Sequence, residues 1–466
     1  MPVSARRTKI VATIGPACDA PGVLERVLAA GVDVARLSAA HAGLPELRSR
    51  LRALRSAASA LSRTVGVMLD LPGPKLRVGE VAAGTVLAEG ASIRLLSGDC
   101  VGDAERVCVT HEALWSDVAS GDRILIDDGR LELEVSSATE GEVGCLVRRG
   151  GPLLPHKGLN VPGITLSVDS VTPADLEALA WGIEDGVDMV AQSFVRSAAD
   201  IVTLRDAMAG AGLPIVAKIE KHEALDDLDA IVSAADAVMV ARGDLAVETS
   251  PEQVPPAQRA IIGACRSRGR PVVVATQMLG SMTASPRPTR AEASDVATAV
   301  FEGADAVMLA EETAVGAYPV ESVETMDRIC RAAESAGQSA PVSRETTGPT
   351  ASVAAAACDL ASDIGAAAMV VATQSGATAR AVARCRPSVP ILAVTPVATV
   401  ARALTLVWGV TPCLVGPLES IESMTRSALA ASLSLEAVRV GDKVVLTAGT
   451  SVGVAGSTDL IRVLTV

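Results

Sequence analysis

Short apolar runs alternate with amphipathic stretches along most of this chain, and Ile215 to Asp244 shows the repeating unit most clearly. It reads strand, helix, strand. Ile215 to Ile219 is an apolar run broken only by Lys218, and Glu220 closes it. The spacing predicts a helix over His222 to Ala235, with Leu225, Leu228, Ile231 and Val232 on one face. Ala237 to Val240 is a second apolar run, and Arg242-Gly243-Asp244 follows it. Such a unit lays its two strands parallel and side by side. Glu220 and Asp244 then emerge at one edge, past the ends of neighbouring strands, with Lys218 aimed into the same region. Two carboxylates and an ammonium converging there suit an oxygen-rich Mg²⁺ or Mn²⁺ site facing an anionic substrate. A strand-end acid is also a common helix cap, so the unit alone leaves both readings open.

The unit recurs. Apolar runs begin near Lys9, Val34, Gly66, Asp188, Pro214, Ala237, Val272 and Ala306, with helical stretches between them. Thr172-Pro173-Ala174-Asp175 and Thr289-x-x-Glu292 read as helix starts. Eight such repeats make the α/β class a (β/α)₈ TIM barrel, built from residues 1–72 and 161–335. Its active site belongs at the C-terminal ends of the strands. The residues there are Arg36, Asp70, Phe194, Lys218, Glu220, Asp244, Thr276 and Glu312.

The helical period disappears over residues 73–160. Short alternating runs replace it (SIRLL, RVCVT, RILIDD, RLELEV, EVGCLV), as in half-buried antiparallel strands. This is a small β-barrel lid domain inserted after the third strand, returning through the Pro/Gly-rich LLPHKGLNVPG. Ser335 to Thr350 reads as a linker, and residues 346–466 as a C-terminal α/β domain. In that domain the strand Ala368 to Thr373 runs into Gln374-Ser375-Gly376-Ala377-Thr378 and a helix. A hydroxyl- and glycine-rich loop before a helix can cradle a phosphate, although such loops also arise for steric reasons alone.

Composition narrows the class. A net charge of −13 argues against a nucleic-acid-coating protein, and 1% aromatics leave no base-stacking platform. No apolar run reaches the ~18 residues of a membrane span, and the start has no long apolar stretch before a cleavage site. Nine cysteines without a CxxC pair are expected to be reduced and buried, as in a cytoplasmic protein.

Taken together, RRTKIVATIGPA, DVARL, KGLNVPG, DMVAQSFVR, AKIEKHE, MVARGDL, ATQMLGSM, PRPTRAEASDVATAV and GADAVMLAEETAVGAYP resemble the pyruvate kinase family along almost the whole chain. The resemblance implies phosphoryl transfer from phosphoenolpyruvate to ADP in a cytoplasmic homotetramer. Lys218 matches the family's lysine on the transferring phosphoryl group and the enolate, and Arg36 its phosphoryl-contacting arginine. Glu220 and Asp244 match the divalent-metal ligands; Gly243, Asp244 and Thr276 match the substrate-carboxylate site. Arg77 and Lys157 match nucleotide contacts, with Ser38 and His41 on the nucleotide side. Thr373, Ser375, Gly376 and Thr378 match the loop that takes a sugar-phosphate activator in regulated members. The later loop, residues 447–458, lacks the arginine and tryptophan of some fructose-bisphosphate-responsive members.

The chain also departs from the pattern. Members that need K⁺ hold it with side chains at the positions of Ser38, Ala40 and Asp70 and the carbonyl at Leu71; two of those side chains differ here. Such members carry a glutamate where this chain has Lys75, whose ammonium would supply the missing charge beside Asp70. The chain therefore looks like the K⁺-independent, bacterial-like type, with a surface charge at Lys75 as the alternative. Ala310 replaces a serine near the proton-delivery route, and Lys221 an asparagine. Two other functions share these residues: a metal-dependent pyruvate-enolate lyase or aldolase, and a catalytically weakened effector-binding relative.

Overall fold

The computed structural model describes residues 6–337, 348–418, 420–434, 438–449 and 458–466. Most of the expected linker and most of the 447–458 loop lie outside them. Strands β1 (Lys9–Thr13), β2 (Val34–Ser38), β3 (Gly66–Asp70), β4 (Met189–Gln192), β5 (Ile215–Ile219), β6 (Ala237–Ala241), β7 (Val272–Ala275) and β8 (Ala306–Leu309) close into one parallel barrel in chain order. Both faces of these strands are covered, which is why they read as unbroken apolar runs. Val11, Val34, Met68, Val216, Met239 and Val273 fill the lumen. Ile10, Leu37, Leu69, Ile219, Val238 and Leu309 face outward beneath the helices.

Caps set where the helices begin. Thr172 and Asp175 form a reciprocal capping box, as do Thr289 and Glu292. One expected helix is broken: His222 to Ala235 divides into Glu223–Asp226 and Leu228–Ala234. At the break, Asp227 accepts a hydrogen bond from the Ala198 N–H at 2.8 Å. That tie to the preceding helix redirects the chain, while Ile231 and Val232 still reach the core.

The lid is a six-stranded sheet with two small two-stranded sheets on a separate apolar core that includes Leu76, Ile93, Leu133, Val147 and Leu166. Cys100 and Cys108 are joined here as a disulfide, which corrects the expectation that all nine cysteines are reduced. A tight turn brings them together: Asp103 N–H bonds the Arg106 carbonyl, and the Asp103 carboxylate accepts from the Glu105 and Arg106 amides. The other seven cysteines stand outside any disulfide.

The C-terminal domain has a five-stranded sheet. Strands β9 (Ala368–Ala372), β10 (Ile391–Thr395), β11 (Val410–Leu414), β12 (Lys443–Gly449) and β13 (Thr458–Thr465) lie in the order β11-β10-β9-β12-β13, and only β13 runs antiparallel. This domain packs on the barrel's N-terminal mouth, and its Leu406 joins the lumen cluster. Gly66 permits that approach, because a Cβ there would lie 2.5 Å from Thr405 Oγ1. Among the described residues no helix is long and apolar enough to cross a membrane.

One buried carboxylate ties the two bodies. Asp188 Oδ2 accepts from the Val67 N–H at 2.7 Å and from Arg55 at 2.8 Å, while Oδ1 accepts from Arg402 of the C-terminal domain at 2.5 Å. Removing it takes the carboxylate from both guanidinium groups and leaves Arg55 only its carbonyl contacts at Val65 and Gly186, a loss of about 3 kcal/mol. Asp188→Ala is expected to lower the thermal midpoint by roughly 5 °C or more in a melting experiment. A midpoint within about one degree of the parent would contradict this role.

Candidate active site

At the barrel's C-terminal mouth Lys218, the fourth residue of β5, points inward and is almost fully buried. Its ammonium lies 2.7 Å from Ser193 Oγ, 3.0 Å from Glu220 Oε1 and 3.3 Å from Asp70 Oδ1. Burial alone would pull this group down, but Asp70 and Glu220 outweigh it and hold the pKa above the ordinary lysine value. A cation is thus fixed at the floor of the site.

Asp70 carries a second cation. Its Oδ2 accepts from Arg36 Nε at 2.5 Å, and Arg36 Nη1 donates to Thr13 Oγ1 at 2.9 Å. Burial raises the Asp70 carboxyl, and Arg36 and Lys218 more than reverse it, so its pKa sits below the usual range. Asp70 therefore sets Arg36 and Lys218 side by side, an arrangement of two fixed cations suited to an anion.

Glu220 and Asp244 stand opposite. Glu220 Oε2 accepts from the Phe194 N–H at 2.7 Å, and its pKa is pushed up by burial and by the charge of Asp244. Each acid is held by an ammonium: Glu220 by Lys218, and Asp244 by Lys75 at 3.0 Å. Two mutually repelling carboxylates, each on a cationic partner, fit a divalent cation. Among the described residues no third His, Cys or carboxylate joins them, so substrate or water oxygens must complete such a shell.

The wall beyond β7 is strained. Thr276 and Gln277 take φ of 67° and 53°, and Phe194 after β4 takes 55°. Left-handed backbone at non-glycine residues clusters where function fixes geometry. Thr276 Oγ1 accepts from the Gly243 N–H at 2.9 Å, and Arg242 clamps the same turn. The Arg242 guanidinium donates to the Ala275 carbonyl at 3.2 Å and the Thr276 carbonyl at 2.6 Å, and is anchored on Asp295. Ser193 and Arg242 were not singled out by sequence reasoning. The only signal for either was a polar residue next to the end of an apolar strand.

The remaining sequence-predicted residues are spread around this centre. Ser38 is buried and pairs with Asp70 in the β2–β3 register. The His41 imidazole is held below its usual pKa by partial burial and by Arg36, Arg77 and Lys75, which marks an electropositive approach. Arg77 Nη1 donates to the His156 carbonyl at 3.0 Å, and Lys157 pairs with Asp127 at 2.9 Å; both stay on the lid. Lys75 faces Asp244, while the cations on Asp70 are Arg36 and Lys218. Glu312 bonds the Leu279 and Ala310 amides and so staples the β7 and β8 loops together. In the C-terminal domain Thr373 Oγ1 accepts from the Gly376 N–H at 2.9 Å, and Thr378 pairs with Thr458 at 2.7 Å. Gly376 is left-handed at φ 80°, and Ser375 is half-buried.

The lid is tethered close by. Glu248 Oε1 accepts from Asn160 on the lid's return strand at 2.7 Å and from Lys221 at 2.9 Å. Asp175 caps its helix with one oxygen and accepts from the Gly73 N–H with the other, at 2.8 Å.

Comparison with known proteins agrees with this architecture. Residues 5–323 match the model of the pyruvate kinase barrel domain, and residues 351–464 that of the pyruvate kinase alpha/beta domain. The chain is 43% identical over 462 residues to a pyruvate kinase of Mycobacterium tuberculosis, covering 98% of each. It is 45% identical over 468 residues to pyruvate kinase 2 of a Synechocystis species, covering 98% of this chain and 79% of that one. It is 41% identical over 469 residues to a pyruvate kinase of Geobacillus stearothermophilus, covering 98% of this chain and 80% of that one. With the barrel, the inserted lid and the Lys218 site all in place along a full-length match, the chain belongs to the pyruvate kinase family.

Proposed function

We propose that this chain moves the phosphoryl group of phosphoenolpyruvate to ADP, giving ATP and an enolpyruvate that takes a proton at carbon. The observation that carries this reading is Lys218, kept cationic between Asp70 and Glu220 at the barrel mouth. Phosphoryl transfer needs little covalent help from a protein; its barrier falls when fixed positive charge surrounds the transferring group. Arg36 and Lys218 supply that charge without reorganisation, because Asp70 orients both beforehand. Glu220 and Asp244 would hold Mg²⁺ or Mn²⁺, which would supply Lewis-acid stabilisation of the developing negative charge. Gly243, Asp244 and Thr276 are assigned to the substrate carboxylate, with Arg242 as the residue that positions their turn.

ADP is assigned to the side bearing Ser38, His41, Arg77 and Lys157. The positive charge around His41 supports an anionic nucleotide there. Lid closure would bring Lys157 toward the reacting phosphate and exclude water, which would otherwise compete as acceptor. The effector loop at Thr373, Ser375, Gly376 and Thr378 is assigned to a sugar phosphate. Homotetrameric assembly and a cytoplasmic location follow the family and complete the proposal.

K⁺ is not required in this reading. Lys75 brings its ammonium to the barrel mouth, 3.0 Å from Asp244 rather than beside Asp70, and in this reading it is the built-in substitute for the monovalent cation. On closure its ammonium need only swing from Asp244, where a divalent ion would displace it, to take that role.

Lys218→Met is expected to lower pyruvate formation by at least about a thousandfold, from the loss of a buried charge that acts on the transition state. Near-parental turnover in a coupled assay would end the assignment. Pyruvate formation by the parent protein should be the same in K⁺-free and K⁺-supplemented buffer. Lys75→Glu should make it depend on added K⁺, and a parent protein active only with K⁺ would remove Lys75 from this role.

A further inference from the structure

Five arginines meet where the C-terminal domain sits on the barrel, at the end opposite the catalytic mouth. Arg266 and Arg270 come from the barrel side; Arg380, Arg384 and Arg386 come from the helix after the Thr373 loop and its exit. They line a cleft of ≈ 300 Å³ of free space that opens to solvent, and Asp305 is the only acid among its lining residues.

Arg386 is the decisive member. Its side chain is 9% exposed, and its guanidinium donates to the Gly303 carbonyl at 2.8 Å and pairs with Asp305 Oδ1 at 3.2 Å. It stacks 4.5 Å from the centre of the Trp408 ring. Its Nη1, fully buried, has no hydrogen-bond partner. An unmade hydrogen bond on a buried cationic donor is costly, and buried polar groups are nearly always satisfied. Its backbone is also left-handed, at φ 50°, so the position is maintained against strain.

The neighbours add to the imbalance. Arg270 donates to the Ser233 carbonyl at 3.0 Å and reaches Asp236 only at 4.0 Å. Arg380 donates to the Ser375 carbonyl at 3.3 Å. Gly269, left-handed at φ 65°, lets the Arg384 stem pack 3.1 Å from where a Cβ would stand. Burial depresses the guanidinium groups of Arg266 and Arg380, and Arg386 and Arg270 respectively push them further. An anion in the cleft would offset the repulsion among these guanidinium groups.

We propose that this cleft is a phosphate-binding site, separate from the Thr373 loop, that takes a phosphate dianion either free or as the head of a small phosphomonoester. Planar guanidinium forks match tetrahedral oxyanions bidentately. The cleft opens to solvent, so the remainder of a larger ligand would stand at its mouth. Bound there, the anion bridges barrel and C-terminal domain.

Calorimetry on the full chain without divalent metal, titrated with inorganic phosphate and separately with glycerol 2-phosphate, tests this. Arg270→Gln and Arg386→Gln should each weaken phosphate binding by about tenfold or more, the size of one lost charge-assisted hydrogen bond. A Ser375→Ala/Thr378→Val variant should keep the affinity. Arg270 is on the rim, so its variant stays informative if Arg386→Gln fails to fold. Binding of both probes supports a phosphomonoester ligand, and binding of inorganic phosphate alone supports a site for the free ion. Unchanged affinity in the arginine variants, loss only in the loop variant, or no binding in the parent overturns the proposal and leaves the arginines as an interdomain clasp.

Discussion

A lysine ammonium largely withdrawn from bulk water must be surrounded by charge of the opposite sign, or it gives up its proton. Lys218 meets that condition through Asp70 and Glu220, and most of the candidate site at the barrel mouth follows from it. Asp70, once committed to Lys218, has a second oxygen that captures Arg36. Glu220, once committed, is positioned by the Phe194 amide, which needs the left-handed turn after β4. Ser193 fills the remaining direction and ties the cluster to the Leu71 carbonyl at the start of the lid connection. The site is a chain of mutual obligations spread over β2, β3, β4 and β5, and a closed parallel barrel is what holds those four strand ends in register.

The lid hangs from this barrel by polar contacts rather than by a shared core. Its apolar cluster is separate from those of the barrel, and Glu248 and Asp175 reach across to Asn160 and Gly73. Hydrogen bonds to carboxylates are directional and exchangeable with water, whereas interdigitated side chains are not. A body joined in this way can swing without unpacking either core.

The barrel was legible in the sequence because strands covered on both faces are written as continuous apolar runs, and capped helices announce their starts, as at Thr172 and Thr289. The charged residues Lys218, Glu220 and Asp244 stood out against that background. What escaped was set by contacts distant in sequence. The break at Asp227 depends on the Ala198 amide, and nothing in the local period marks it. The Cys100–Cys108 pairing depends on the turn at Asp103, which composition cannot reveal. Lys75 was expected beside Asp70 and is found on Asp244, because its stem crosses from the lid connection to the end of β6. Arg242 is visible as a residue, but its grip on the Thr276 turn exists only once β6 and β7 are neighbours.

The contact of Leu406 with the lumen, admitted by the missing side chain at Gly66, has a wider meaning. The barrel does not finish its own lower end; the C-terminal domain acts as its stopper. Losing that domain would expose the apolar lumen residues around Leu406 to water, so the stability of the barrel is tied to its neighbour. In mechanical terms the C-terminal domain is a plug first, and the packing at Leu406 makes the solidity of the barrel a shared property of both bodies.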